Sequence, residues 1–222
     1  MNNSQKSKLF LILSLHRSGS SAIAGVLHQL GVHMGNKLLD ADYSNPKGHF
    51  ENVDFLNLNE KILNCVEAKW SEPPSRESIV SSNFPKSEIL SFILEQEQVI
   101  WGLKDPRITL TFDIWRPHLE EFSDITYVFV WRPIEESIRS LSHRNKIDLT
   151  TARTILEPYL INLRCYREEL EKDNKDILDI NFKDILDEPE NFTKQINLRI
   201  NQKQDHHLNL VKKFLDQKLK HF

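Results

Sequence analysis

The sequence predicts an α/β fold, a three-layer sandwich in which a central parallel sheet of four or five strands lies between two layers of helices. Three observations predict it. Short apolar runs at 9–15, 99–103, 125–130 and 177–182 alternate with longer amphipathic stretches, the order that β-α units produce. The first run, Leu9 to Leu15, is apolar on both faces, as a strand covered by helices on each side must be. The chain has 222 residues and no internal repeat, which suits one domain with a real core (1–222).

In order, Met1 to Lys8 is polar and expected to fray. After the first strand, Ile23, Val26, Leu27 and Leu30 follow helical spacing from Ser20, and Gly31 supplies a stop. Pro46 and Gly48 mark a turn, and Glu51 opens a helical pattern through Val53, Leu56, Leu58, Ile62 and Leu63. Ser71 to Pro85, with three prolines, reads as an irregular surface loop, and Glu88 to Gln98 as a short helix. The second strand, Val99 to Leu103, runs directly into Lys104, Asp105, Pro106 and Arg107. A helix from Thr109 to Phe122 contains Pro117, which kinks or restarts it. The third strand, Ile125 to Val130, ends in Trp131 and Arg132, and Pro133 is placed to start a helix with Glu135 and Glu136 in its first turn. On that helix Ser137, Ser140 and Arg144 fall towards one face. Thr150 to Asp173 is a long scaffold helix, Ile177 to Phe182 a fourth strand, and Asn191 to Ile200 a further helix. Leu208, Val211, Leu215 and Leu219 give the C-terminal stretch, 203–222, an amphipathic helix.

Composition narrows the partners. With 29 basic and 32 acidic residues the net charge is -3, so no global field recruits nucleic acid and any anion site is local. Leu9 to Leu13 is too short for a signal-peptide core or a membrane span, which gives a cytoplasmic expectation and no integral membrane segment. Cys65 and Cys165 match no metal-ligand spacing and read as free, partly buried thiols of a reducing compartment. Oligomeric state has no signature in the chain.

The loop between the first strand and helix carries the strongest chemical signal. Arg17, Ser18, Gly19, Ser20 and Ser21 serve no packing need at a strand-to-helix junction, where backbone N–H groups and the helix dipole favour an anion. Laid over the phosphate loop GxxxxGK[ST], Ser14 to Ser21 puts Ser20 where the lysine should be. The third strand likewise ends in Trp-Arg rather than in the aspartate that holds magnesium. The loop thus keeps an anion cradle and loses the ATPase equipment. His49 and Glu51 stand beside a loop, where a general base meets a substrate, although either alone is more often a solvated or capping group. Lys104, Asp105 and Arg107 fall beyond a strand's carboxyl end, where open parallel sheets bind ligands; otherwise Asp105 caps the following helix.

In SLHRSGSSAIAGVLHQLGV, NPKGHFEN, WGLKDPR, VFVWRPIEESIRSL and DINFKDIL with its DEPE turn, the chain resembles the sulfotransferases that use 3'-phosphoadenosine 5'-phosphosulfate (PAPS), in particular their bacterial members. These segments occur in that family's order and span most of residues 9–200. The resemblance implies a P-loop NTPase-like fold. It implies that Arg17, Ser18, Gly19, Ser20 and Ser21 hold the 5'-phosphosulfate, that Arg132 and Ser140 hold the 3'-phosphate, and that Lys104 lies near the reacting centre. Arg as a bidentate fork with Ser beside it suits a phosphate. The RKG segment with which many family members cover the 3'-phosphate has no match, which passes that contact to Arg139 or Arg144. Glu51 is the first choice for the base and His49 the second. The expected activity is transfer of a sulfuryl group to a hydroxyl or amine of a sugar, lipid or small metabolite without a metal. A kinase with a degenerate loop and a catalytically silent nucleotide-binding protein are the alternatives.

Overall fold

The computed structural model describes residues 6–43 and 45–215. Four strands, β1 (Ser7–Ser14), β2 (Ile100–Lys104), β3 (Ser123–Trp131) and β4 (Asp176–Asn181), form one sheet in the order β2-β1-β3-β4. All three pairings are parallel, with Ile12 beside Lys104, Ser14 beside Val130 and Trp131 beside Asn181.

Strand residues alternate between two cores, as the pleat requires. Leu9, Leu11, Leu13, Tyr127 and Phe129 join one buried cluster, while Phe10, Ile12, Val128 and Val130 join the other. Helices α2 (Val53–Asn64), α4 (Lys86–Gln96), α5 (Ile108–Phe122) and α7 (Leu149–Lys172) contribute to the first. Helices α1 (Ser20–Gln29), α9 (Pro189–Arg199) and α10 (Leu208–Phe214) contribute to the second. The three-layer α/β sandwich is therefore as the sequence predicts, with four strands. Because the strands are parallel, the segments leaving all four carboxyl ends emerge on one edge, and α1 leaves β1 towards the opposite face from α5.

Several local expectations need correction. Ser7 and Lys8 are not frayed: they belong to β1, and the Ser7 hydroxyl is 2.8 Å from that of Ser123. Residues 71–85 are not wholly irregular, because Ser75 caps the short helix α3 (Arg76–Val80), whose Ile79 is fully buried. Helix α2 begins at Val53 rather than Glu51, since the Asn52 side chain accepts from the N–H groups of Asp54 and Phe55. Pro133 is the N-cap of α6 (Ile134–Asn145), not its first helical residue. Asp184 to Leu186 lies in another short helix, α8 (Phe182–Asp187). Helix α5 passes through Pro117. Both cysteines are free and exposed rather than partly buried. Of the expected 203–222 helix, only Leu208–Phe214 is helical among the described residues; 216–222 and 1–5 lie outside them. Among the described residues, no helix is long and apolar enough to cross a membrane.

Candidate active site

A cleft runs along the carboxyl edge of the sheet, and its walls enclose about 770 Å³ of empty space, the part open to solvent included. Each strand delivers a residue as it ends: His16 and Arg17 after β1, Lys104 from β2, Arg132 after β3 and Phe182 after β4.

The loop after β1 is built from backbone outwards. Arg17 takes a left-handed conformation (φ 64°), and its carbonyl is held there by Arg132 Nη1 at 3.0 Å and Ser137 Oγ at 3.4 Å. Ser18 turns inward and donates its hydroxyl to the Leu15 carbonyl at 2.8 Å. Gly19 caps α1 with φ 90°, and a Cβ there would lie 2.0 Å from the Phe182 ring, so only glycine fits. Among the described residues, the backbone N–H groups of Arg17 to Ser21 have no hydrogen-bond partner. Five consecutive unpartnered donors at a helix N-terminus are an arrangement that favours an anion.

Over this loop lies a concentration of positive charge. Arg17 Nε donates to Ser140 Oγ at 3.1 Å, and Arg132 stacks over Phe182 at 5.3 Å while pairing with Glu136 at 2.9 Å. Burial first, then the nearby Arg144 and Arg132, lower the Arg17 guanidinium to about 10, so it stays charged at neutral pH while repelled by its neighbours. Burial first, then the charges of Arg107, Arg144, Lys104 and Arg17, push His16 well below its ordinary value, which leaves that imidazole neutral.

Facing the loop, Lys104 and Glu51 form a buried ion pair of 2.6 Å, with side chains 3% and 9% exposed. Lys104 Nζ also lies 3.2 Å from Ser21 Oγ and 3.3 Å from the His49 carbonyl, which ties β2 to the anion loop and to the 45–52 turn. Among the described residues, no hydrogen bond reaches the second oxygen of Glu51. His49 lines the cleft, but Nδ1 is 2.9 Å from Asn45 and Nε2 is 3.2 Å from Asp42.

The structure thus gathers Arg17, Gly19, Ser20, Ser21, His49, Glu51, Lys104, Arg132 and Ser140 around one cleft. Of the other members of KDPR, Pro106 also lines the cleft, while Asp105 and Arg107 serve the scaffold. Asp105 is fully buried, accepts from Asn59 and from the Arg107 N–H that opens α5, and is pushed up by that burial against the pull of Arg107. Arg107 itself pairs with Glu60 and Asp105. Sequence reasoning passed over His16 and Phe182. Phe182 directly follows β4 as Arg132 follows β3, whereas His16 stands two residues beyond β1 with nothing local to mark it.

Among solved structures, the sulfotransferase domain of the Synechococcus PCC 7002 olefin synthase matches with a TM-score of 0.57 and 18% identity, over 99% of this chain and 82% of that one. The fold is sulfotransferase-like. The sulfotransferase domain from the curacin biosynthetic pathway agrees, at a TM-score of 0.51 and 15% identity over 90% of this chain and 76% of its own. So does sulfotransferase STF9 from Mycobacterium avium, at 0.55 and 13% over 95% and 68%. No family model matches the chain, and no curated protein sequence is similar to it. At these identities the sulfotransferase likeness is one of backbone architecture.

Proposed function

We propose that the protein is a sulfotransferase that takes its sulfuryl group from PAPS and passes it to a hydroxyl or amine. One observation carries this reading: the anion cradle of residues 17–21, after β1, shares a cleft with a second arginine, Arg132, after β3, and with a buried carboxylate, Glu51, in the turn before α2. A donor with anionic groups at both the 5' and 3' positions meets that charge pattern. Arg17 and the N–H groups of residues 17–21 hold its phosphosulfate end, and Arg132 with Ser140 hold its 3'-phosphate.

The donor supplies an activated sulfuryl group with a phosphate leaving group. Glu51 takes the acceptor's proton on the oxygen turned away from Lys104 as the acceptor oxygen or nitrogen forms its bond to sulfur. The bond from sulfur to the bridging phosphate oxygen breaks, and its electron pair leaves with adenosine 3',5'-bisphosphate. Lys104 and Arg17 offset charge growing on the bridging and sulfuryl oxygens. Asn45 and Asp42 occupy both ring nitrogens of His49, which favours Glu51 as the base and gives His49 a role in holding the 45–52 turn. The cytoplasm is the compartment consistent with this donor.

A thermal-shift titration tests the reading, because a ligand that binds only the folded state raises its melting temperature. Adenosine 3',5'-bisphosphate is expected to stabilise the protein without magnesium, and ATP to do so far less. Stabilisation by ATP and magnesium alone would overturn it in favour of a kinase.

A further inference from the structure

The proposed donor leaves two cations of the cleft unassigned, Lys47, which donates to the Phe214 carbonyl, and Arg144. Arg144, in the last turn of α6, lines the cleft, yet its only hydrogen bond among the described residues runs from Nε to the amide oxygen of neighbouring Asn145 at 2.7 Å. Its guanidinium lies 5.9 Å from the Trp70 ring centroid. His16 packs on the same indole at 4.9 Å and against Tyr159 at 5.2 Å. His16 is one of the residues along the cleft and is 7% exposed, while its ring Nε2 is closed off from solvent and has no partner among the described residues. A half-buried guanidinium without a carboxylate and a buried ring nitrogen without a partner both cost stability, and one indole carries them at one wall. Burial lowers Arg144, and the charges that raise it again are those of Tyr43, Asp42 and Glu51. Arg132, by contrast, lies over Phe182 at the end of β4. Arg144 is thus within reach of the charge of Glu51 as well as that of Arg17, and it stands one helical turn beyond Ser140 on α6. Arg139, the other residue considered for that phosphate, is exposed and does not line the cleft.

We infer that Arg144 recognises an acidic group of the acceptor, so that the substrate is a small anionic molecule carrying both the reacting hydroxyl or amine and a carboxylate, phosphate or sulfate. The inference rests on the sulfotransferase reading. It adds the substrate class: the acceptor's acid meets the Arg144 guanidinium beside the Trp70 indole. The acid thereby anchors one end of the acceptor while its nucleophile faces Glu51.

Three phenols of matched size test this by calorimetric titration into protein saturated with adenosine 3',5'-bisphosphate: 4-hydroxybenzoate (anionic), 4-hydroxybenzamide (neutral) and tyramine (cationic). The wild type is expected to bind the acid at least about tenfold more tightly than the amide, the range of one charge-assisted hydrogen bond. Arg144→Gln is expected to bring the two within about threefold while the bisphosphate affinity stays within about twofold, and Arg144→Glu to turn the preference towards tyramine. Equal binding or no binding of acid and amide by the wild type overturns the inference, as does a preference for the acid that survives Arg144→Gln. A tenfold loss of bisphosphate affinity in Arg144→Gln overturns it by assigning this residue to the donor. Failure of the wild type to bind the bisphosphate at all is a different result: it removes the donor reading on which the inference stands.

Discussion

Arg76 and Arg17 each bring a guanidinium into the protein, one on the scaffold side of α5 and the other at the carboxyl edge of the sheet. Arg76 makes four hydrogen bonds to Asp113 and Glu169, between 2.5 and 2.9 Å, and stacks on Tyr166 at 4.5 Å. These carboxylates raise it above the ordinary arginine value. Arg17 meets one neutral hydroxyl and two other arginines, and is lowered to about 10. The first arginine finishes its chemistry within the protein, linking α3, α5 and α7. The second is held in an unfavourable field, at an expense in stability that an arriving anion reverses. A cation whose charge the chain leaves unmatched in a cleft is thus a better pointer to function than a cation with many partners.

The widest separation between the two regions is expected in catalysis. Glu51→Gln keeps an oxygen for Lys104 to donate to but removes the base, so release of adenosine 3',5'-bisphosphate from PAPS with a phenolic acceptor falls by about 10²- to 10⁴-fold while bisphosphate affinity is retained. Arg17→Ala comes next. Loss of a charge-assisted contact to the donor weakens bisphosphate binding by about tenfold or more in calorimetry, and the ligand-free variant melts no lower than the wild type because a repelled charge has gone. Arg76→Ala reverses both signs: bisphosphate affinity is unchanged, and stability in urea falls by about 2 kcal/mol as Asp113 and Glu169 lose their partner. An Arg76→Ala protein of full stability, or an Arg17→Ala protein that unfolds, would break the comparison.

The smallest effect is in acid. His16 is held neutral, with its folded-state value depressed below the unfolded 6.5, so its contribution is fully present above that value and is lost as pH falls below it. Each such group costs up to about 1.4 kcal/mol per pH unit. Urea unfolding of wild type and His16→Gln at pH 7.5 and pH 5.5 is expected to show a shallower loss in the variant. Parallel losses would mean that His16 takes up a proton without penalty.

How much of this is readable from the residues alone depends on the range of the interaction. The four strands are legible because their signal is local: Leu9 to Leu15 and Ile125 to Val130 are apolar runs that no other element explains. The loop after β1 is legible because Arg17 to Ser21 is a run of small polar residues with one cation and no apolar side chain at a strand-to-helix junction, although the inward turn of Ser18 and the packing of Gly19 on Phe182 appear only in the fold. Helix α3 is not, since five residues are too few for a helical period to appear and its proline-rich flanks read as loop. Glu51 and Lys104 each stand out, yet their 2.6 Å pairing is a tertiary fact that follows from β2 lying beside β1 with the 45–52 turn above them. Asp105 and Lys104 are neighbours in the chain and part company in the fold, because successive residues leaving a strand face different ways: one goes to Asn59 and the start of α5, the other to the cleft. His16 carries no signal of its own in the sequence; its significance comes from Trp70 and Arg144, which only the fold brings alongside.

The central claim is that two strand ends build two anion sites for one donor, Arg17 with its loop and Arg132 with Ser140. Calorimetric affinities for adenosine 3',5'-bisphosphate and adenosine 5'-monophosphate, in wild type and Arg132→Ala, address it directly. The account predicts that the wild type prefers the bisphosphate by at least about tenfold and that Arg132→Ala loses most of this preference while its 5'-monophosphate affinity changes little. Equal affinity of the wild type for both nucleotides, or a preference untouched by Arg132→Ala, would contradict it.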